Sequence, residues 1–413
     1  MRNLSKLARL ALYAFAIIFS LSTIKLITGA SDLTSIGTAS SALLLSIPIA
    51  MAALGGLFSE RAGVVNIGLE GMMIMGAWGG GFIGSKHGPW LGLLAGILMG
   101  ALGALLHAIA TVGFGVDHVV SGVAMNILAA GLARYLSTIL YKNGTWVGPS
   151  QSPDINPIGS NGLPILAGGN FFGWQSPDIF GKIAAKNWFL ISDTFAILRG
   201  FTGNVSYVTV IAIALVPFSY WFLWHTAFGL RLRSAGEAPT AAESLGVNVY
   251  KMKYAGVLLS GAFAGLGGSY LAIVASNHYQ ENQTGGRGYI GLAALIFGNW
   301  RPGGLMTGAG LFGFADALQL RDATAIHALL MLLAVAMVIF TFVNIRRKKY
   351  FAVVISLATA AVAIWLYITV TELPGQFVTM TPYIVTLLVL GLGTQRLRMP
   401  AADGAPYRKG GAK

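Results

Sequence analysis

A chain of 413 residues with 55% hydrophobic and only 10% charged side chains lies far below the roughly 25% charge of soluble domains, which excludes a water-soluble globular protein and specifies a polytopic membrane protein. Cysteine is absent, so disulfides and thiolate metal sites are excluded, and the six histidines are scattered without an H-x-x-x-H pair. A net charge of +13 fits a nucleic-acid binder or a membrane protein with its cations gathered on the inner face.

Apolar runs of ~17–25 residues can cross a bilayer. The first, Leu10–Ile24, follows Arg2, Lys6 and Arg9. It resembles a signal peptide ending near Ala30, but an uncleaved helix with a cytoplasmic N-terminus is the expectation. Ser41–Phe58, Val64–Ile83, Leu91–Val112 and Val119–Leu140 follow, and complete an N-terminal membrane half over 1–140. Residues 141–204 form a polar, Asn/Gly/Pro-rich external insertion with anchors Trp146, Phe171, Phe172, Trp174 and Trp188. It is either a structured cap or a solvated loop.

The C-terminal membrane half, 205–345, begins with Tyr207–Leu223 and then opens into a polar loop, 227–253. Within this loop Pro239 and Thr240 precede Ala241, Ala242 and Glu243, and Gly246 follows. Thr240 and Glu243 stand at capping-box spacing, and Gly246 permits a left-handed exit, so the loop is expected to carry one or two turns of exposed helix. A short rigid helix at a membrane surface is a handle for another protein. Tyr254–Ala275, a short Tyr289–Phe297, Leu305–Leu318 and Ala325–Val343 come next, up to the basic boundary Arg346–Lys349. A further helix pair in 346–394 (Phe351–Thr369 and Val378–Leu392) and a basic tail, 395–413, bring the total to about twelve crossings.

Threaded from a cytoplasmic N-terminus, these spans put 18 of the 27 Lys and Arg residues and five of the 14 acids inside, which accounts for the whole net charge. The positive-inside rule therefore explains the basicity without a nucleic-acid partner. Loop 227–253 and both termini are then cytoplasmic.

Two stretches echo each other. Ile67-Gly68-Leu69 aligns with Ile290-Gly291-Leu292, and Gly63 with Gly286; each stretch opens a short, Gly-interrupted helix, and the two run in opposite directions through the bilayer. Inverted repeats with broken helices are the pattern of transporter pores, where unwound backbone lines a cavity. Polar residues at membrane depth are costly, so Asn66, Glu70, Asn126, Arg134, Arg287, Asn299 and Asp316 are candidates for a substrate path, with helix–helix hydrogen bonds as the alternative. Snorkelling suits Arg134 and Arg287, and neighbours are expected to satisfy His107 and His118. Tyr289 adds an aromatic surface. No phosphate-binding loop, nucleophile elbow, zinc signature or carboxylate pair occurs, so enzyme chemistry on this chain is not expected.

The segment from Leu54 to Met72 (LGGLFSERAGVVNIGLEGM) resembles the hallmark of ABC importer permeases of the simple-sugar/branched-chain amino-acid superfamily, nucleoside branch. GLRLRSAGEAPTAA from Gly229, LSGAFAGLGG from Leu259, GGRGYIGLAA from Gly285 and FGNWRPGG from Phe297 are similar to the same family, so the likeness covers 41–345. It implies an all-α type II importer fold, with about ten core helices in an inverted repeat; here two extra C-terminal helices are added. It also implies a cytoplasmic coupling helix, carried onto Arg231, Arg233, Glu237, Pro239, Ala241, Ala242, Glu243 and Gly246. The substrate path would hold Asn66, Glu70, Asn126, Arg287, Tyr289 and Asn299.

The implied partners are an ATPase that binds ATP and magnesium, a second homologous permease and an extracellular binding lipoprotein. The chain itself would hold no cofactor, and its place would be the bacterial plasma membrane. The expected activity is nucleoside import. A ribose-like sugar or branched-chain amino-acid permease is the alternative, followed by an ion-coupled transporter using Glu70, Asp117 and Asp316.

Overall fold

In the computed structural model, which describes residues 6–140, 150–163, 166–171, 173–321, 323–370, 380–387 and 397–410, regular structure is almost entirely helical. The expected anchors Trp146 and Phe172, the cations Arg2, Arg396 and Lys413, and both ends of the span Val378–Leu392 lie outside the described residues. Among these residues, eight helices are long and apolar enough to cross a membrane: Ala11–Thr28, Ile36–Arg61, Pro89–Gly113, His118–Leu140, Tyr207–His225, Val249–Ala275, Thr324–Arg346 and Tyr350–Thr369. An all-α polytopic membrane protein is what the composition required.

The chain divides into two compact units, one made of 1–43, 161–205 and 314–384, the other of 44–160, 206–313 and 385–413. In the first, α1 (Lys6–Thr28) packs on α14 (Ala323–Arg346), which forms a hairpin with α15 (Tyr350–Thr369). The basic run Arg346–Lys349 makes the turn between them, with Lys348 in the left-handed region (φ 56°). Thr341 and Ser356 hydroxyls join the two helices at 2.6 Å.

The described residues of the expected insertion that belong to this unit carry regular structure. A small hairpin pairs Asn170–Phe171 with Trp174–Gln175, and α6 (Ile179–Ala184) packs on α7 (Ile191–Thr202). Asp193 of α7 ties these elements to the membrane helices by accepting from Lys25 Nζ and Thr34 Oγ1, each at 2.6 Å. Burial pushes the Asp193 carboxyl upward, but Lys25 and Thr34 outweigh it and hold the group below its usual range. The buried face of α7 is made of the small and polar residues Ser192, Asp193, Ala196 and Gly200, so no apolar run marks this helix in the sequence.

The second unit holds most of α2 (Ile36–Arg61), α3 (Leu69–His87), α4 (Pro89–Ala108), α5 (His118–Leu140), α8 (Tyr207–His225), α9 (Ala227–Glu237), α10 (Pro239–Ser244), α11 (Val249–Tyr270), α12 (Arg287–Phe297) and the first part of α13 (Pro302–Leu318). Its centre is α3, α4 and α11, which meet backbone to backbone. A Cβ added to Gly76 would stand 2.4 Å from Gly265 Cα, and one added to Gly265 would stand 2.3 Å from the Gly96 carbonyl oxygen. Small residues at such contacts supply the van der Waals packing that lipid-embedded helices depend on, since hydrocarbon gives no hydrophobic drive between them. The pattern on α4 is accordingly inverted from that of a soluble helix: Gly92, Gly96, Gly100 and Gly103 face inward, while Leu94, Leu98, Leu102 and Leu106 are exposed.

Both echoed stretches are broken helices, and their helical starts differ from those of the apolar runs. The expected span Val64–Ile83 becomes helical only at Leu69, because Gly63 turns at φ 81° and the Asn66 side chain closes a local turn by accepting from Gly68 N at 3.0 Å. The second opens at Arg287, directly after left-handed Gly286 (φ 77°). Residues 150–155 of the expected insertion belong to this unit, where Ser152 N donates to Tyr279 O (2.9 Å) and Ile155 N to Asn277 O (2.6 Å).

Candidate functional site

Polar and charged residues of the second unit gather in two separate clusters. The first is built on the loop between α8 and α11. Thr226 caps α9 by accepting from Gly229 N at 3.1 Å, and α9 runs to Glu237. Pro239 starts α10 at its first position, where a missing N–H is harmless. The expected Thr240–Glu243 capping box does not form: Ala238 is the N-cap, Thr240 lies inside the helix, and Glu243 is engaged elsewhere. Gly246 does make the left-handed exit, at φ 82°.

Arg61, at the end of α2, fastens this loop to its surroundings. Its guanidinium donates to Glu237 Oε1 at 3.5 Å and to the Trp300 carbonyl at 2.8 Å, and stands 5.5 Å from the Trp224 ring centroid. Arg233 lies over the same ring at 5.4 Å and donates to Leu223 O at 2.9 Å. The Trp300 indole donates to Glu60, and Lys253 Nζ donates to the Gly63 carbonyl at 2.8 Å.

The basic tail joins this cluster. Arg398 N donates to Asn299 Oδ1 (2.7 Å), Ala401 N to Glu237 Oε2 (3.2 Å), Ala402 N to Gly236 O (2.9 Å) and Tyr407 Oη to Glu243 Oε2 (2.7 Å). Asp403 lies beside the Glu60 carboxylate. Burial, reinforced by Glu60 and partly offset by Lys253, pushes the Asp403 carboxyl up to about 8.

The second cluster joins the two broken helices. Glu70, in the first turn of α3, accepts from Thr284 Oγ1 (2.6 Å) and Gly286 N (2.9 Å) on one oxygen, and from Gly288 N (2.7 Å) on the other. It thus satisfies donors that the start of α12 leaves open. Asn126 of α5 accepts from Gly71 N at 2.7 Å and donates to Ile67 O at 3.1 Å and to Tyr289 Oη at 2.9 Å. Asn66 donates to Ser260 Oγ at 2.9 Å. Arg287 is turned back onto the carbonyls of Gln283 (3.2 Å) and Thr284 (3.3 Å). Tyr289 is 47% exposed, whereas Asn66 is wholly buried.

Of the six residues expected on the path, the structure brings five together and separates Asn299, which belongs to the first cluster through Arg398. Snorkelling fits Arg134, whose side chain is 76% exposed and 3.8 Å from Glu281, but not Arg287, which is bonded to local backbone. His107 and His118 meet neighbours as expected: His107 meets Ser121 Oγ (2.9 Å) and Val65 O (3.2 Å), and His118 accepts from Val65 N (3.2 Å). Among the residues of the coupling expectation, Arg231, Glu237, Ala241 and Gly246 are exposed, Arg233, Pro239 and Glu243 half-buried, and Ala242 buried. Sequence reasoning missed Arg61, Trp224, Trp300 and Tyr407. The first and third lie within the quoted motifs and were within reach; nothing marks Tyr407 as a partner of Glu243.

Residues 38–342 match the family described as branched-chain amino acid transport system / permease component. The guanosine ABC transporter permease protein NupQ of Bacillus subtilis is 36% identical over 376 residues, 89% of this chain and 95% of that protein. The nucleoside ABC transporter permease protein NupC of Lactococcus lactis is 34% identical over 375 residues, again 89% and 95%. The putative glucose ABC transporter permease protein TsgC13 of Haloferax volcanii is 32% identical over 280 residues, 68% of this chain and 75% of that protein. No solved structure matches the chain. With the family matched across 38–342 and two relatives aligned across nearly their full length, this chain belongs to the branched-chain amino acid transport system permease family of ABC transporters.

Proposed function

We propose that this chain is the permease subunit of an ATP-driven nucleoside importer in a bacterial plasma membrane, with both termini cytoplasmic. One observation carries the mechanical reading: Arg61 bonds Glu237 of the α9–α10 loop and the Trp300 carbonyl together. Arg61 ends α2 just before the unwound turn that leads to Asn66 and Glu70, and Trp300 closes the turn after α12, whose first residues include Arg287 and Tyr289. A displacement of α9–α10 therefore reaches the ends of both elements that bear the path residues.

An ATPase subunit, which binds ATP and magnesium, grips α9–α10 and supplies that displacement; this chain holds no cofactor and performs no catalysis. A second homologous permease completes the path, and an extracellular binding lipoprotein delivers the substrate. The half-exposed Tyr289 ring offers a stacking face for a nucleobase, and Asn126 orients that ring by donating to its hydroxyl at 2.9 Å. Asn66 and Glu70 spend their hydrogen bonds on backbone and helix ends, so they frame the path rather than line it. The names of NupQ and NupC, at 36% and 34% identity, support nucleosides over the sugar named for TsgC13.

The test is uptake by proteoliposomes containing this chain with its ATPase, second permease and binding protein. Labelled guanosine or adenosine should accumulate only with internal ATP, and Tyr289→Ala should reduce uptake at least tenfold. Accumulation of glucose or ribose with no nucleoside uptake would overturn the substrate reading, and ATP-independent uptake would overturn the energetic one.

A further inference from the structure

We infer that residues 397–408 are a brace built into the ATPase-docking surface: they hold α9 and α10 in place from one side and leave the other side of α10 open to the partner. The inference rests on the reading of α9–α10 as the coupling region and adds a positioning role for a segment outside the family match at 38–342.

The need for a brace follows from the length of α10. Six residues make less than two turns, and an isolated helix of that size does not persist in water because nucleation costs more than so few hydrogen bonds return. Nor does it carry a side-chain N-cap. Its order has to come from tertiary contacts. Beneath it, Ala242 is buried with Ala235 and Val249 in a small apolar cluster on which Val247, Met252 and Tyr407 pack. The tail supplies one of those packing partners and also the polar attachments. Tyr407 holds Glu243 at 2.7 Å, while Ala401 and Ala402 hold Glu237 and Gly236 at 3.2 and 2.9 Å. At its two ends the tail is itself secured. Arg398 N bonds Asn299, and the Tyr407 ring lies 5.3 Å from that of Tyr250, whose hydroxyl donates to Tyr407 O at 3.4 Å. Asn299 immediately precedes Trp300, so the brace and Arg61 grip the same turn after α12.

A tail lying on a docking surface can also act as a plug, and the exposure pattern separates the two. The tail takes the side of the loop that bears Gly236, Glu237 and Glu243. Thr240, Ala241, Ser244 and Leu245 remain exposed, and Leu245 shows 85% of its surface at the tip of α10. A plug would cover that apolar tip; a brace leaves it uncovered, as here. The same arrangement reassigns the two acids. Glu237 and Glu243 bond the chain's own tail, so the partner meets the small and apolar face of α10 and not an acidic one.

The experiment exploits the absence of cysteine. In the full-length chain in nanodiscs, Glu243→Cys with Tyr407→Cys is treated with a short bis-maleimide, and ATPase binding is measured separately for wild type, Tyr407→Phe, Ala402→Pro and a chain stopped after residue 396. Cross-linking should be near complete. Loss of the tail's hydrogen bonds should weaken ATPase binding on the order of tenfold for the shortened chain and a few-fold for each point variant. The cross-linked pair should bind as wild type does.

Absence of cross-linking overturns the brace, as does wild-type ATPase binding by the shortened chain. Tighter binding or faster ATP hydrolysis without the tail would make it a plug, which also overturns the inference. A full-length chain that cross-links fully yet binds no ATPase refutes the coupling reading itself, and the cross-link tells that failure from failure of the tail to dock.

Discussion

Replacing Glu70 tests whether this residue is part of the frame or part of the substrate site. Its two oxygens accept three hydrogen bonds, at 2.6, 2.9 and 2.7 Å, from Thr284, Gly286 and Gly288 at the entrance to α12. The packing there is tight: a Cβ on Gly288 would stand 2.5 Å from Glu70 N. Water therefore has little room to replace the carboxylate. Glu70→Ala strands two backbone donors and a hydroxyl in a buried place, at ~1–3 kcal/mol for each unsatisfied group, with partial relaxation bringing the total to roughly 3–5 kcal/mol. Glu70→Gln keeps the shape but turns one acceptor into a donor facing a donor, for a loss of about 1–3 kcal/mol.

The assay is thermal unfolding of the purified chain in detergent, without substrate, followed by tryptophan fluorescence. A loss of ~3 kcal/mol lowers the midpoint on the order of 5 °C. The order expected is wild type, then Glu70→Gln, then Glu70→Ala. A substrate ligand would behave differently, since its removal lowers uptake and leaves the substrate-free midpoint untouched. A Glu70→Ala midpoint within about 1 °C of wild type, with uptake abolished, would refute the framing role.

Two further predictions concern the helix core and the insertion. Gly265→Ala places a methyl 2.3 Å from the Gly96 carbonyl oxygen and 3.0 Å from Gly100 Cα, so α4 and α11 must separate; ~1–3 kcal/mol of destabilisation is expected, read as a lower yield of monodisperse protein and a lower midpoint. An unchanged midpoint would mean that the two helices are not held at that distance. Asp193→Asn removes the ionic partner of Lys25 and should cost about 1–3 kcal/mol, a value reduced because the Lys25 side chain is 31% exposed. Burial raises the Asp193 pKa, but Lys25 and Thr34 more than reverse that, so the folded value lies below the unfolded one. Its stabilisation is then present above about pH 4 and lost as pH falls through the folded value, and Asp193→Asn should flatten that acid limb of the stability curve. An acid limb identical to that of wild type would refute the assignment.

Much of the fold was legible because the bilayer sets simple rules. Length and apolarity identify eight of the about twelve expected crossings among the described residues, and the glycine-interrupted stretches at 63–72 and 285–296 did mark broken helices. Less legible was where the helices begin. Hydropathy carries Val64 and Val65 into a span, whereas the chain unwinds through Gly68, because the Asn66 side chain bonds Gly68 N and thereby offers the backbone an alternative to the helix. The capping box at Thr240 and Glu243 failed for a related reason. Pro239 fixes the first helical position two residues earlier than the pattern requires, which moves Thr240 inside the helix and leaves Glu243 free to be taken by Tyr407.

Asn299 shows a different limit. Its sequence context, FGNWRPGG, signals a polar turn between apolar helices but says nothing about which end of the path that turn occupies. The deciding partner is Arg398, 99 residues away in sequence and connected through the tail. Such long-range pairing carries no periodic signature, so composition could place the tail on the same side as the coupling loop and could not bring the two into contact. Once they are in contact, the chemistry of the loop changes. Two acids that read as docking charges are spent on the chain's own backbone and tyrosine, and what remains for a partner is the exposed face around Ala241 and Leu245. The Arg61 bonds to Glu237 and Trp300 join the same loop to the end of α2 and to the turn after α12.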